Sequence, residues 1–553
     1  MQKAQSKLQL SPLDIPLAVF LLSAILGTLP AFNRDLVWTP LVTLILCGLL
    51  YLLVSRVAAS ERWSLLIGRF VVIVCGLVAF YFITQYSHYP GLNKVESISR
   101  LAGWIGKLFP SMVFWAPVAN SLGTLLEGIF FLAVGLFLLE KHVGWRVVLG
   151  LTASILLLAL VVSESRGAWL AVGVAGLVWL AIYFRWAKWL AILLALGMLV
   201  LIILVVIQRD IQVMDRIPLV NRVLAPLFIR PDRLEVYRGS IYLIQDMPFT
   251  GIGLGNQFAI AYSRYVLRIQ VPFLYYSHNL FLEAWLEQGF LGIFALIWML
   301  AALFWSAAKA QLTGHNLFLE STWIGLTAIF LHGFTDARQY MDLWCWLPAF
   351  ILLGLFAALH RRQVILPSRT LFWGPLGVAG VFLGIVLVML PSLPGSWQAN
   401  LGCIKQAWLD LGPSLDEPQK SQLRQEAIEN FSRSIGFRND QRTAHLRLGM
   451  IFLDEEQFRE AVQHLEAAHQ VDPTNPATIK TLGFAYVWAG ELEKARDLLQ
   501  SVPEIVEELN YWGWWRGTRQ QVGLSKYAYQ VSLLLEPNQP GVRQVIDALQ
   551  NPR

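Results

Sequence analysis

The chain has 553 residues, 56% of them hydrophobic and only 14% charged, with a mean hydropathy of +0.53. Soluble domains carry about 25% charged residues, so this composition excludes an ordinary soluble protein. The net charge of +6 is small for the length and its basic residues are dispersed, which argues against nucleic-acid binding.

A spanning helix needs about 20 mostly apolar residues. In chain order this rule predicts eleven spans, near residues 13–32, 36–55, 64–84, 118–139, 146–163, 167–184, 187–207, 284–307, 317–334, 342–360 and 372–391. The first lacks a small-residue cleavage site and is expected to remain as an anchor. The run 85–117, aromatic and broken by glycine and proline, is expected to form a loop with an interfacial piece. Cys47, Cys75, Cys345 and Cys403 make no close pair, so neither a disulfide framework nor a zinc site is indicated. If Lys3 and Lys7 are cytoplasmic, then Arg56, Arg62, Lys141, Arg146, Arg185, Lys188, Lys309, Arg361, Arg362 and Arg369 fall on that side as well. This predicts a multi-pass protein of the cytoplasmic (inner) membrane, with segment 208–283 and everything after residue 392 outside the cytoplasm.

The fold class is therefore all-α, a polytopic bundle of about 11–12 spans over residues 1–395 with a helical domain over 396–553. In that second part Leu448, Gly449, Phe452, Ala461 and Leu465 recur as Leu482, Gly483, Tyr486, Ala495 and Leu499, a period of 34 residues. Small residues at these offsets are the pattern of tetratricopeptide repeats, which serve as docking surfaces or supports. Ala427 and Phe431 mark a degenerate earlier repeat, and Gly513 a later one.

Chemistry is expected in the long segment 208–283, which holds eight arginines and no lysine. A guanidinium stays charged and grips phosphate oxygens with a planar fork; the plainer alternative is anchoring to lipid headgroups. Three motifs single out residues. Ser163-Glu164-Ser165-Arg166-Gly167 stands at a junction of two spans, where an arginine either meets a diphosphate or snorkels from a turn. Asp232-Arg233-Leu234-Glu235-Val236-Tyr237-Arg238 is followed by Pro248 and by Gly251-Ile252-Gly253-Leu254-Gly255-Asn256. Those glycines lack nucleotide-fold spacing and are expected to make a tight turn back to the membrane. Ser277-His278-Asn279, then nine residues and Gly289-Phe290-Leu291-Gly292, opens a long apolar helix. A histidine there is either structural or a general base working near neutral pH. Glu127 is the one clear mid-span charge.

Taken together and in this order, the motifs resemble the core of the O-antigen ligase/polymerase family over roughly residues 110–360. Asn120 resembles the asparagine that opens a span before this core, and His332, Asp336 and Arg338 resemble the family's later cluster. Tyr237 departs from the pattern, since tryptophan is usual there. The resemblance implies transfer of a saccharide from a polyprenyl-diphosphate-linked donor to an acceptor hydroxyl on the outer face of the membrane. His278 would be the base, and Arg166 and Arg238 would bind the diphosphate. Arg233, Asn279, Asn120, Asp336 and Arg338 would line the substrate site. No cofactor or metal is expected. Expected partners are the lipid-linked glycan donor, a glycan, lipid or protein acceptor, the membrane, and polysaccharide-assembly proteins at the repeats. Two other readings stay open: a transporter or flippase of lipid-linked saccharides, and a non-catalytic scaffold.

Overall fold

The computed structural model describes residues 10–86, 95–112, 114–115, 118–193, 196, 231–269, 271–272, 274–363, 368–389 and 392–550. Arg209, Arg216, Arg222, Arg230 and most of the predicted span 187–207 lie outside them. Among the described residues the chain is helical, with no strand.

The bundle opens with α1 (Asp14–Leu26), α2 (Trp38–Val57), α3 (Glu61–Gln85), the short α4 (Glu96–Gly106), α5 (Ala119–Leu139), α6 (Val143–Val162) and α7 (Arg166–Tyr183). After the long segment, which contributes α8 (Pro231–Asp246) and α9 (Phe258–Tyr262), come α10 (Leu280–Thr313), α11 (Leu317–Gly333), α12 (Arg338–Met341), α13 (Trp346–Gln363) and α14 (Ser368–Met389). Ten of the eleven predicted spans thus coincide with helices. Among the described residues seven are long and apolar enough to cross a membrane, and α1 and α11 are apolar but shorter. The piece expected between 85 and 117 is α4, amphipathic, with Leu101 and Trp104 exposed.

Alternate passage of the helices sorts the connections into two ends. One end gathers the basic turns near Arg56, Lys141, Arg185 and Arg361. The other gathers the starts of α5, α7 and α10, the end of α11, and α8. Small residues set one close crossing. A Cβ on Gly325 would lie 2.5 Å from the Gly128 carbonyl oxygen, so α5 and α11 meet backbone to backbone.

The second glycine-dependent feature is a break in α10. Gly289 has φ 66° and ψ −165°, which frees carbonyl and amide groups that an unbroken helix would pair. The loop after α8 takes them up. Ile252 N donates to Leu286 O at 2.7 Å, and Phe290 N donates to Phe249 O at 3.1 Å. Gly255 N and Asn256 N donate to the buried Glu287 carboxylate at 3.0 and 2.7 Å. Gly251, Gly253 and Gly255 all have positive φ and press on backbone atoms, of Leu286, Ala31 and Leu36 respectively. The expected tight turn is a plug for a broken helix.

Beyond α14 follow α15 (Leu393–Leu411), α16 (Glu417–Phe437), α17 (Arg442–Asp454), α18 (Phe458–Val471), α19 (Pro476–Ala489), α20 (Leu492–Leu499), α21 (Ile505–Thr518), α22 (Val522–Leu535) and α23 (Pro540–Gln550). They pack as antiparallel pairs, and the repeat glycines explain why. A Cβ on Gly449 would strike Leu465, and one on Gly483 would strike Leu499. Gly402 against Phe431 and Gly513 against Tyr529 repeat the contact in the flanking pairs.

Candidate active site

Asp336 is the hub. It sits in the turn after α11, only 2% exposed, and accepts hydrogen bonds from the Asn120 side chain and from Ala337 N. Two guanidiniums face it, Arg338 at 3.6 Å and Arg233 at 4.0 Å. Arg233 also donates to the Thr335 carbonyl. Burial pushes the Asp336 carboxyl up, but Arg338, His332, His278 and Arg233 together outweigh it and hold it below the usual carboxylate range. Arg338 is further held by Asp342 at 3.8 Å and lies 5.0 Å over the Tyr276 ring.

Asn120, at the start of α5, joins the hub to the first motif. Its Oδ1 accepts from Ser165 Oγ at 2.8 Å. Ser165 caps α7 by accepting from Ala168 N, which makes Arg166 the first residue of that helix, half-buried. Gly167 is wedged against Thr335 and His332; a Cβ there would lie 2.5 Å from Thr335 Oγ1 and 2.9 Å from His332 Nε2. Glu164, at φ 53°, is buried and accepts from Ser99 Oγ on α4 at 2.6 Å. His332 Nδ1 in turn lies 3.0 Å from Glu127 Oε2, both side chains buried.

The histidine motif forms the other wall. Ser277 N and Oγ both donate to Glu283, at 2.8 and 2.5 Å, and Asn279 caps α10 by accepting from Phe281 N and Leu282 N. Between them His278 adopts φ 55°, an uncommon conformation for a residue with a side chain. Its ring packs at 4.1 Å on Tyr276, and its Nδ1 has no hydrogen-bond partner among the described residues. Burial pushes the imidazole down to about 4; Asp336 pulls it up, and Arg233 and Arg338 push it down further. It is neutral at neutral pH.

α8 closes the site. Residues four apart share a helix face, so Tyr237 lies on the side of Arg233. Its hydroxyl is 3.0 Å from the His278 carbonyl oxygen and 3.1 Å from that of Phe334. Asn279 Nδ2 donates to the same Phe334 oxygen at 3.1 Å. Arg238 faces differently: it is exposed, and its Nε donates to Tyr242 Oη at 3.3 Å.

Of the residues expected at the site, the structure therefore brings His278, Asn279, Arg233, Asn120, Asp336 and Arg338 into one connected cluster, with Arg166 on its flank. Arg238 stands outside that hydrogen-bonded network. Sequence reasoning missed Tyr276, Tyr237 and Ser165 as parts of the site. Position 237 carried a signal in its departure from tryptophan, and Ser165 one in its place beside Arg166 in the first motif; Tyr276 carried none.

Residues 151–297 match the O-antigen ligase family. This stretch is similar to the core of O-antigen ligases. The matched stretch contains Arg166, Arg233, Arg238 and His278, while Asn120, Asp336 and Arg338 lie beyond its ends. Residues 452–513 match a tetratricopeptide repeat, so the resemblance read from the motifs and the repeat period is borne out in both parts. No curated protein matches the chain. The family match and the apolar helices support a multi-pass membrane protein of the O-antigen ligase/polymerase glycosyltransferase type.

Proposed function

We propose that the protein transfers a saccharide from a polyprenyl-diphosphate-linked donor to an acceptor hydroxyl, as a polymerase or ligase, on the outer face of the cytoplasmic membrane. The observation that carries this reading is the Asp336 cluster, which joins the histidine, arginine and serine–arginine motifs at one end of the bundle. His278 takes the proton of the acceptor hydroxyl as its oxygen bonds to the anomeric carbon. The bond from that carbon to the diphosphate breaks, and the proton passes on to solvent.

Negative charge gathers on the departing diphosphate, and guanidiniums fixed beforehand stabilise it most in the transition state. Arg166 and Arg238 take this part. Arg233 and Arg338 share Asp336 and therefore present a reduced net charge, which suits them to shaping the pocket. Asn279 and Asn120 hold the walls together, since each uses both ends of its carboxamide within the protein. The reading includes metal independence, because preformed guanidiniums do the electrostatic work of a divalent ion. Among the described residues no three His, Cys, Asp or Glu side chains group as metal ligands.

The test is transfer by purified protein of a fluorescent polyprenyl-diphosphate-linked saccharide, with and without EDTA. Product that forms in EDTA and disappears in His278→Ala supports the reading. Product formed equally by His278→Ala removes the base, and loss in EDTA restored by a divalent ion removes metal independence.

A further inference from the structure

α8 carries the site residues Arg233, Tyr237 and Arg238, and its last residue is Asp246. That carboxylate is buried and wholly taken up by α17 of the repeat domain. Oδ2 accepts from Arg447 Nε at 3.1 Å and from its terminal nitrogen at 2.7 Å. Oδ1 accepts from Arg442 at 2.8 Å and from Thr443 Oγ1 at 2.9 Å. Arg447 is fully buried, its guanidinium 3.6 Å over the Tyr265 ring.

Further ties surround this clasp. Arg264 pairs with Asp410 at 3.3 Å and with Asp454. Asn400 Oδ1 accepts from Phe249 N at 3.1 Å, and its Nδ2 donates to Thr250 Oγ1 at 2.9 Å. Val236, Leu243 and Ile244 of α8 share one apolar core with Cys403, Phe431 and Leu446. A tether needs none of this, and a buried ion pair fixes geometry because its partners have no alternative solvation. One turn before Asp246, Tyr242 lies 5.9 Å from the guanidiniums of both Arg238 and Arg442, so the clasp reaches toward the exposed arginine.

We propose that the repeat domain positions the arginine helix: Arg442, Thr443 and Arg447 fix α8 through Asp246 and so set how well the site binds a diphosphate. The proposal rests on the reading of the α8 arginines made above. These four are positioning residues and touch no substrate.

The test uses full-length protein in lipid nanodiscs and two readouts: amide hydrogen exchange over residues 233–246, and affinity for farnesyl diphosphate. Arg442→Gln and Thr443→Val are the gentle variants and Arg447→Gln the severe one; failure of the last to fold leaves the first two decisive. Each gentle variant is expected to speed exchange in α8 several-fold, with α5 and α19 unchanged. Binding of farnesyl diphosphate should weaken about ten-fold, and in transfer assays KM for the donor should move more than kcat. Arg516→Gln, which removes a comparably buried arginine of α21 held by Glu456 and Gln521, should change neither readout. Unchanged exchange in α8 overturns the proposal, and so does loosened exchange with unaltered binding. Wild-type protein that binds no farnesyl diphosphate overturns the functional reading and the diphosphate half of this one, while exchange still decides the clasp.

Discussion

An imidazole with two guanidiniums and a carboxylate around it has its protonation state set by the surroundings. His278 is pushed to about 4, chiefly by burial, against an ordinary value of about 6.5. In the proposed role the neutral form acts as the base, so kcat/KM should hold down to weakly acidic pH and fall only as the pH approaches about 4. A bound diphosphate brings negative charge toward the ring and favours its protonated form, so the acid limb of kcat should lie at higher pH than that of kcat/KM. A pH–rate series separates the two, and a kcat/KM limb at or above 6.5 would show that the free site leaves the histidine unperturbed. The stability sign follows from the same shift. Between the unfolded value of about 6.5 and the folded value of about 4, the unfolded chain binds the extra proton, so this contribution is present above the window and lost as pH falls through it. Tyr237→Phe should be milder. It removes one hydroxyl tie to the His278 and Phe334 carbonyls, a loss of about 1 kcal/mol, or roughly five-fold in turnover. Wild-type turnover in the phenylalanine variant would make that tie incidental. At this scale His278 was legible as a titratable residue at the mouth of an apolar helix, and Asn120 and Asp336 only through the resemblance to the family. Tyr276 was not, because nothing in the sequence separates it from ordinary neighbours, and Ser165 stood inside a motif read only for its arginine.

Glycines legible as a motif turn out to describe a joint between two elements. Gly289 and the Gly251–Gly255 run are separate patterns in the sequence, and only the fold shows that one breaks α10 while the other satisfies the break. A side chain at 289 meets two obstacles, a positive φ and a Cβ 2.3 Å from the Phe249 carbonyl oxygen. Gly289→Ala is therefore expected to destabilise the protein by about 2–4 kcal/mol, combining backbone strain with overpacking. Gly380, inside α14 with nothing within 4 Å of a Cβ, is the control. Gly380→Ala should be neutral or stabilising by up to about 1 kcal/mol, because alanine is the better helix former. Melting of both variants in detergent checks the pair, and equal melting temperatures would show that the break tolerates a side chain. Span existence was legible at this scale because about 20 apolar residues leave few alternatives. The pairing of Glu127 with His332 was not, since it depends on how α5 and α11 cross at Gly128 and Gly325.

Across the whole molecule, charge is distributed by end. The 34-residue period made the repeats legible, but their grip on α8 was hidden, because Asp246 and Arg447 lie 201 residues apart. Orientation rests on the basic turns. Arg56, Lys141, Arg146, Lys188 and Arg361 gather at the end opposite His278 and the repeats, and positive charge resists translocation in short loops. The reading that this basic end is cytoplasmic gives a direct labelling experiment, because all four native cysteines are buried and contribute little background. Lys141→Cys marks an exposed turn at the basic end, and Ser414→Cys marks the exposed turn between α15 and α16. With a membrane-impermeant maleimide on intact spheroplasts, Ser414→Cys should label at once and Lys141→Cys only after permeabilisation. The reverse pattern would put the Asp336 cluster on the cytoplasmic side, where the proposed donor would be used before crossing the membrane. Labelling of both sites in intact spheroplasts would mean that an even number of crossings separates the two turns, and the span assignment between them would have to change. The expected pattern would place His278, the α8 arginines and the repeat domain together on the outer face, where the proposed lipid-linked donor would meet them after its translocation.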